Sequence, residues 1–237
     1  MDTRFWGPDG WKLLHSITAN YPNNPTKIDK ENYKIFFESI QHVLPCIYCR
    51  VSFTEYITKM PIDNYLKNRR DICHWLYKIH NMVNDKLRKQ GLNNNIDPTF
   101  NEIYPRYSNY LKDVNMSNCI NMPGWDFIYS IVFNFPKDGE NIEKIRYINY
   151  IIFFNYLGII LPFVNVNELY NQFLEKEPIK LHLDGRDNLK KWLYRFEKYV
   201  SSNLDTNCLS YKKKCDIIEQ YRAGCGNKTD KKPTCRR

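Results

Sequence analysis

Apolar residues recur along this chain at helical spacing. Trp11, Leu14, His15 and Thr18 fall at i, i+3, i+4 and i+7, and Tyr33, Phe36, Phe37 and Ile40 repeat the pattern. Ile72, Trp75, Leu76 and Ile79 do the same and run on into Val83 and Leu87. Residues so spaced share one face of a helix, so each segment predicts an amphipathic helix with that face inward. Asp9 predicts the cap of the first helix and Tyr21-Pro22 its end. No period-two alternation bounded by hairpin turns accompanies them, so the expected class is all-α. The long apolar stretch from Tyr147 to Val166 holds Asn149, Asn155, Gly158 and Pro162, which predicts a buried helix and a proline stop rather than a membrane span.

The pattern also repeats itself. Gly10-Trp11 through Tyr21-Pro22 aligns with Gly124-Trp125 through Phe135-Pro136. After a slip of three residues, Asn32-Tyr33, Phe36-Phe37, Leu44-Pro45 and Trp75-Leu76-Tyr77 align with Asn149-Tyr150, Phe153-Phe154, Leu161-Pro162 and Trp192-Leu193-Tyr194. Glu102-x-Tyr104 aligns with Glu219-x-Tyr221. Three segments are expected: a helical bundle over 1–115, a second over 116–222, and a basic cysteine-containing tail over 223–237. The aligned copies differ where chemistry would sit. Cys46 and Cys49 become Phe163 and Val166, His15 becomes Tyr129, and His80, Asn81 and Asn84 become Glu197, Lys198 and Ser201. A frame that keeps its aromatics and loses its thiols and polar groups reads as one whose site is erased in the second copy.

Composition narrows the chemistry. With 237 residues, 43% hydrophobic content and 15% aromatics, the chain can fill a core and is not a disordered one. Nine glycines, with neither GxGxxG nor a P-loop, argue against a Gly-rich phosphate cradle. Of the net charge of +9, residues 211–237 carry +6, which is more often a solvated end than a nucleic-acid contact. Met1-Asp2-Thr3-Arg4 leads into Phe5-Trp6-Gly7 without an apolar signal region. Eight cysteines in that setting point to redox or metal chemistry.

Pro45-Cys46-Ile47-Tyr48-Cys49-Arg50 is a CxxC placed at a helix start. The helix N-terminus favours a thiolate at the first cysteine, as does Arg50 where it lies close. A zinc half-site is its main rival, without a second CxxC at ribbon spacing. In His80-Asn81-Met82-Val83-Asn84-Asp85-Lys86-Leu87, His80 and Asn84 share a helix face, which suits either a polar cofactor edge or an ordinary hydrogen-bonded surface. Trp11 and His15 lie one turn apart.

Together, Trp11-x-x-Leu14-His15, Tyr21-Pro22, Pro45-Cys46-x-x-Cys49 and Trp75 ahead of His80-Asn81-x-Val83-Asn84-x-Lys86-Leu87 resemble the ERV/ALR family of FAD-linked sulfhydryl oxidases. The resemblance covers about the first 110 residues, and the composition is similar to that of a giant-virus member of the mimivirus type. It implies an FAD-binding four-helix bundle with a short extra helix, followed here by a degenerate second bundle. It implies Cys46 and Cys49 as the redox-active pair. As FAD contacts it implies Trp11, His15, Tyr21, Cys49, His80, Asn81, Asn84, Lys86, Lys89 and Tyr104. It further implies thiol-containing protein substrates attacking Cys46, Cys49 leaving towards the flavin, O2 as acceptor and H2O2 as product. A homodimer is implied, with an intrachain pseudo-dimer of the two bundles as the alternative. A second, shuttle pair would be drawn from Cys208, Cys215, Cys225 and Cys235, which otherwise staple the second bundle. The structural disulfide of many relatives should be absent, Tyr77 and Asn94 standing at its places. No metal, membrane or nucleic-acid partner is expected, and the virion or viral factory in host cytoplasm is the expected location. A zinc module built on Cys46, Cys49 and His80 or Cys73, and a nucleic-acid binder using the tail, are the competing classes.

Overall fold

A computed structural model describes residues 1–116 and 122–222. Cys119, Cys225, Cys235 and the whole 223–237 tail lie outside the described residues. The described residues form ten α-helices and two short 3₁₀ turns, with no strand, so the chain is all-α as its periodicity predicts. The helices are α1 Thr3–Ala19, α2 Lys27–Val43, α3 Ile47–Lys59, α4 Arg69–Lys89, α5 Phe100–Met116, α6 Trp125–Phe133, α7 Lys144–Ile160, α8 Val164–Lys176, α9 Arg186–Asn203 and α10 Tyr211–Glu219. The 3₁₀ turns are Ile62–Tyr65 and Ile179–His182.

Local chemistry explains the boundaries. At the start of α2 a capping box joins Thr26 and Asp29, satisfying two end groups at once. Asn68 accepts from the Asp71 amide to open α4. Leu44-Pro45 and Leu161-Pro162 follow α2 and α7, since proline cannot continue a helix. No helix among the described residues is long and apolar enough to cross a membrane.

One expectation fails. Asp9 does not cap α1, which begins two turns earlier with Asp2 accepting from the Arg4 amide at 2.8 Å. Asp9 lies within α1 and accepts instead from the Asp126 amide at 2.9 Å, so it caps α6 across 117 residues of sequence. An aspartate ahead of an apolar run looks the same whichever helix it serves.

α1 packs on α4, α5 and α6, and α2 runs along α7. Contacts between the two halves are reciprocal. Phe36 stacks on Phe153, its own counterpart in the repeat, with centroids 5.3 Å apart. A Cβ on Gly10 would meet Phe127 at 3.0 Å, and one on Gly124 would meet Leu13 at 2.5 Å; Gly10 pairs with Gly124 in the repeat and Leu13 with Phe127. Residue i touching j′ while j touches i′ is the signature of two-fold packing. Gly124 also sits at φ +108°, a left-handed value that glycine adopts freely.

The two halves also bury equivalent contacts. Trp75 Nε1 donates to the Met60 carbonyl and Trp192 Nε1 to the Glu177 carbonyl, each at 2.9 Å. Phe37 meets Trp75 edge-on at 5.1 Å, and Phe154 meets Trp192 at 5.2 Å. Each such ring contributes about 1.5–3 kcal/mol through burial.

Candidate active site

Pro45 turns the chain out of α2 and places Cys46 at the N-cap of α3, with extended backbone and no side-chain cap. The first-turn amides of α3 and its dipole therefore favour negative charge at that sulfur. Cys46 is 1% exposed. Cys49, one turn into α3, is half-buried. Arg50 Nη1 donates to the Leu44 carbonyl at 2.7 Å, and its guanidinium is coupled electrostatically to both thiols.

Beside this pair a cleft of about 800 Å³ runs between α3 and α4. Ile47, Val51, Ser52 and Tyr56 line one wall, Met82, Lys86 and Lys89 the other. Lys86 Nζ donates to Ser52 Oγ at 2.6 Å across it.

On the other flank of α4 is a ring cluster. Trp11 stacks on His80 with centroids 3.9 Å apart and planes within 11°. His15 stacks on Tyr107 of α5 at 4.9 Å, and its Nε2 lies 3.1 Å from His80 Nδ1. Burial, with His80 as neighbour, pushes the His15 pKa down to about 3; burial pushes that of His80 down to about 4. Both rings are neutral near pH 7, one donating and the other accepting. His15 Nδ1 is buried and has no hydrogen-bond partner among the described residues.

Asn84 Nδ2 donates to Asp97 Oδ1 at 2.7 Å, and Asp97 also receives Arg88 at 2.6 Å. The Arg88 hydrogen bond holds the Asp97 carboxyl below its usual range, against some opposing burial. Asn81 is half-buried on α4. Tyr104 lies under the Arg70 guanidinium, 4.9 Å from its ring centroid. Tyr21 stands apart: it is fully buried against Tyr33, and its hydroxyl donates to the Leu66 carbonyl at 3.0 Å. The structure thus brings Trp11, His15 and His80 together, with Lys86 and Lys89 across α4, and leaves Tyr21 in the core. Ser52 and Tyr107 escaped sequence reasoning because each is defined by a contact between helices, and Asp97 because the α4–α5 connection folds it back onto α4.

The remaining described cysteines lie elsewhere. Cys73 packs with Ala19 and Tyr107, and burial raises its pKa to about 12. Tyr77, expected where a cystine half would stand, donates its hydroxyl to the Pro98 carbonyl at 2.8 Å. Cys208 and Cys215 sit near Tyr194 and Tyr211, and burial raises both thiols. No cluster of three or more His, Cys, Asp or Glu that could hold a metal ion is present among the described residues.

The second half finishes the corresponding corner differently. Tyr129, at the place of His15, donates to Glu197, at the place of His80. Lys214 Nζ donates to Glu197 at 2.7 Å and lies 4.9 Å above the Tyr129 ring.

A model of the Erv1 / Alr family matches residues 8–105, the stretch that holds the sulfurs, the cleft and the rings. The chain is 40% identical over 85 residues to a probable FAD-linked sulfhydryl oxidase of Acanthamoeba polyphaga mimivirus, covering 35% of this chain and 59% of that protein. It is 36% identical over 88 residues to a mitochondrial FAD-linked sulfhydryl oxidase of Saccharomyces cerevisiae, 37% of this chain and 46% of that protein. It is 34% identical over 91 residues to an FAD-linked sulfhydryl oxidase of African swine fever virus, 36% of this chain and 70% of that protein. The chain thus spans roughly half the length of the first two of these relatives.

Proposed function

We propose, from the premise that this chain belongs to the Erv1 / Alr family, that it is a sulfhydryl oxidase. It converts dithiols of protein substrates to disulfides, with FAD as resident cofactor, O2 as terminal acceptor and H2O2 as product. The carrying observation is the CxxC at the N-cap of α3, beside the α3–α4 cleft.

The residues present fit FAD. On one flank of α4 the stacked rings and a buried imidazole nitrogen with no partner among the described residues offer a flat aromatic surface and a polar edge; on the other flank the cleft offers Lys86 and Lys89 to phosphates, beside Glu55 and Asp85. Trp11, His15, His80, Asn81, Asn84, Lys86 and Lys89 would hold it, with Tyr104 nearby on α5. When bound, FAD supplies the two-electron acceptor for the dithiol. The neutral histidine pair adds no charge of its own; the charges nearby are Asp97 beside His80 and the lysines, Glu55 and Asp85 of the cleft.

The protein's own step is thiol–disulfide exchange. A substrate thiolate attacks Cys46 Sγ, the Cys46–Cys49 bond breaks, and Cys49 departs as a thiolate. The second substrate thiol, giving up its proton, then attacks the mixed disulfide and releases Cys46, leaving the substrate oxidised by two electrons. The rate depends on how well each sulfur carries charge. For Cys46 the α3 amides supply that stabilisation. Because Cys46 is almost wholly covered, exchange there requires neighbouring side chains to move aside.

We assign the second half as a degenerate, cofactor-free copy that takes the place of a partner subunit within one chain. The reciprocal Gly10–Phe127 and Gly124–Leu13 approaches and the Phe36–Phe153 stack support this over a homodimer. Light scattering should then give a mass near 28.6 kDa, with one flavin per chain. Cys215 packs against the core of the second half, which favours a structural role for it over a relay. The viral relatives favour a viral protein acting in the virion or the cytoplasmic viral factory.

The direct test is Cys49→Ser. Turnover of dithiothreitol should vanish while yellow FAD stays bound; oxygen consumption at the parental rate would refute the assignment.

A further inference from the structure

Two guanidiniums stand at the sulfur end of the molecule, and one comes from the far half of the chain. Arg50 Nη1 donates to the Leu44 carbonyl, and Arg146 Nε, from α7, donates to the His42 carbonyl at 3.4 Å. These carbonyls close α2, two and four residues ahead of Cys46. Both arginines are half-buried, and Arg146 bears electrostatically on the Tyr150 hydroxyl.

A structural explanation is at hand, because cations suit a helix C-terminus. The opposite corner shows that the fold does not need them. There Asn167, the counterpart of Arg50, donates Nδ2 to the Leu161 carbonyl at 3.1 Å, and Leu161 is the counterpart of Leu44. A neutral amide closes that corner. The counterpart of Arg146 is Asp29, used in the capping box of α2. Both replacements put positive charge on the corner that carries cysteines, and the twin corner has Phe163 and Val166 instead.

The charge persists against opposition. Burial and then Arg146 itself disfavour the Arg50 cation. His42 is held towards neutral by burial and then by both arginines. Glu143, exposed at the start of α7, is the one carboxylate that bears on His42. Exposed Ile47 and Val51 flank the same end of α3.

We infer that Arg146, supplied by the second half, joins Arg50 in an anion-accepting rim beside Cys46 and Cys49 that selects acidic dithiol segments of protein substrates. This rests on the oxidase assignment and deepens it. The negative charge that moves from the attacking substrate sulfur to the departing cysteine sulfur also stays beside that rim, one charge throughout. Arg146 acts as a specificity residue, and the degenerate half thereby keeps a share in the chemistry.

The experiment uses the full flavin-loaded chain and two reduced peptides with one Cys-x-x-Cys spacing, flanked by glutamates or by lysines. The glutamate peptide should show at least a tenfold higher kcat/KM at low ionic strength. The gap should shrink several-fold in 0.5 M salt, where screening acts within roughly 4–5 Å. Arg146→Gln should cut the ratio at least threefold and Arg146→Lys should restore most of it; using the ratio cancels any general loss of turnover. Serine-for-cysteine versions of both peptides, followed by fluorescence anisotropy, read the rim without turnover. A wild-type ratio near one, or a ratio unchanged in Arg146→Gln, overturns the inference. Absence of flavin and of dithiothreitol oxidation in the wild type overturns the oxidase assignment instead, and the anisotropy arm still decides the rim.

Discussion

The His15–His80 corner and the Tyr129–Glu197 corner occupy matching places and are finished in opposite ways. In the first, two neutral rings meet and a buried nitrogen is left over. In the second, a phenol, a carboxylate and an ammonium answer one another within the chain. Even the third partner is inverted: Asp97 bears on His80, whereas Lys214, at its counterpart position, binds Glu197. A buried polar group without a partner is costly. Its persistence at His15, against the closed Tyr129–Glu197–Lys214 corner, supports the proposed cofactor site in the first half and a corner closed by the protein itself in the second.

The strongest way to break this contrast is to remove one group from each corner. Glu197→Ala strands Lys214, whose side chain is only 17% exposed, and frees the Tyr129 hydroxyl. A loss of about 3–5 kcal/mol is expected, since breaking a buried pair leaves one charge unanswered. His80→Ala in flavin-free protein should cost less than half as much and should instead lower the flavin content of purified protein. Urea unfolding and the flavin-to-protein absorbance ratio check both; equal stability losses would erase the distinction.

Acid sharpens it next. His15 and His80 titrate at about 3 and about 4 when folded, below their ordinary value. Between those values and about 6.5 the unfolded chain binds more protons, so the stability is complete above pH 6.5 and is lost as pH falls. For flavin-free protein about 2–4 kcal/mol should go between pH 6.5 and 5, at up to about 1.4 kcal/mol per unit for each histidine. His80→Gln should flatten that slope measurably in urea titrations run at several pH values.

How much of this was legible beforehand follows from what periodicity records. The spacing of Tyr33, Phe36, Phe37 and Ile40 gave α2, and Pro45-Cys46 placed the sulfurs at a helix start, because both depend on neighbours in sequence. The repeat was visible because Trp75 and Trp192 do the same job at the same distance from their helix starts. The partners of His15 and Asp9 are not visible, since each is chosen by packing between helices distant in sequence, nor is that of Asn84, which the α4–α5 connection brings back. Arg146 had a faint signal, an arginine aligned with an aspartate, but only the α2–α7 contact gives it meaning.

The seam between the halves offers a smaller effect. Gly124→Ala puts a Cβ within 2.5 Å of Leu13 at a left-handed φ, and should cost about 2–3 kcal/mol from strain and overpacking. Gly10→Ala meets Phe127 at 3.0 Å in ordinary helix geometry and should cost about 1 kcal/mol. Thermal unfolding of the two variants checks the order. The reverse order would mean that the seam yields at Leu13 more readily than at Phe127.

The smallest effect tests whether two equivalent tyrosines remain equivalent. Tyr33 donates to the Ile17 carbonyl at 3.4 Å and Tyr150 to the Ile131 carbonyl at 3.3 Å, both fully within the core. Such long bonds are weak, so Tyr33→Phe and Tyr150→Phe should each cost about 1 kcal/mol or less, and nearly the same amount. Their charged neighbours differ, however: Tyr33 feels Asp29 and Arg69, which oppose one another, while Tyr150 feels the cations Arg146, Arg50 and Arg186. Losing the Tyr150 hydroxyl removes a polar group that bears on the Arg146 guanidinium. Tyr150→Phe should therefore lower the preference for the glutamate peptide by about twofold, on the order of 0.4 kcal/mol, and Tyr33→Phe should leave it where it was. If both variants shift the preference alike, Arg146 is held by the packing of α7 alone, and the two-fold frame extends further into the chemistry than the charges at residues 29 and 146 imply.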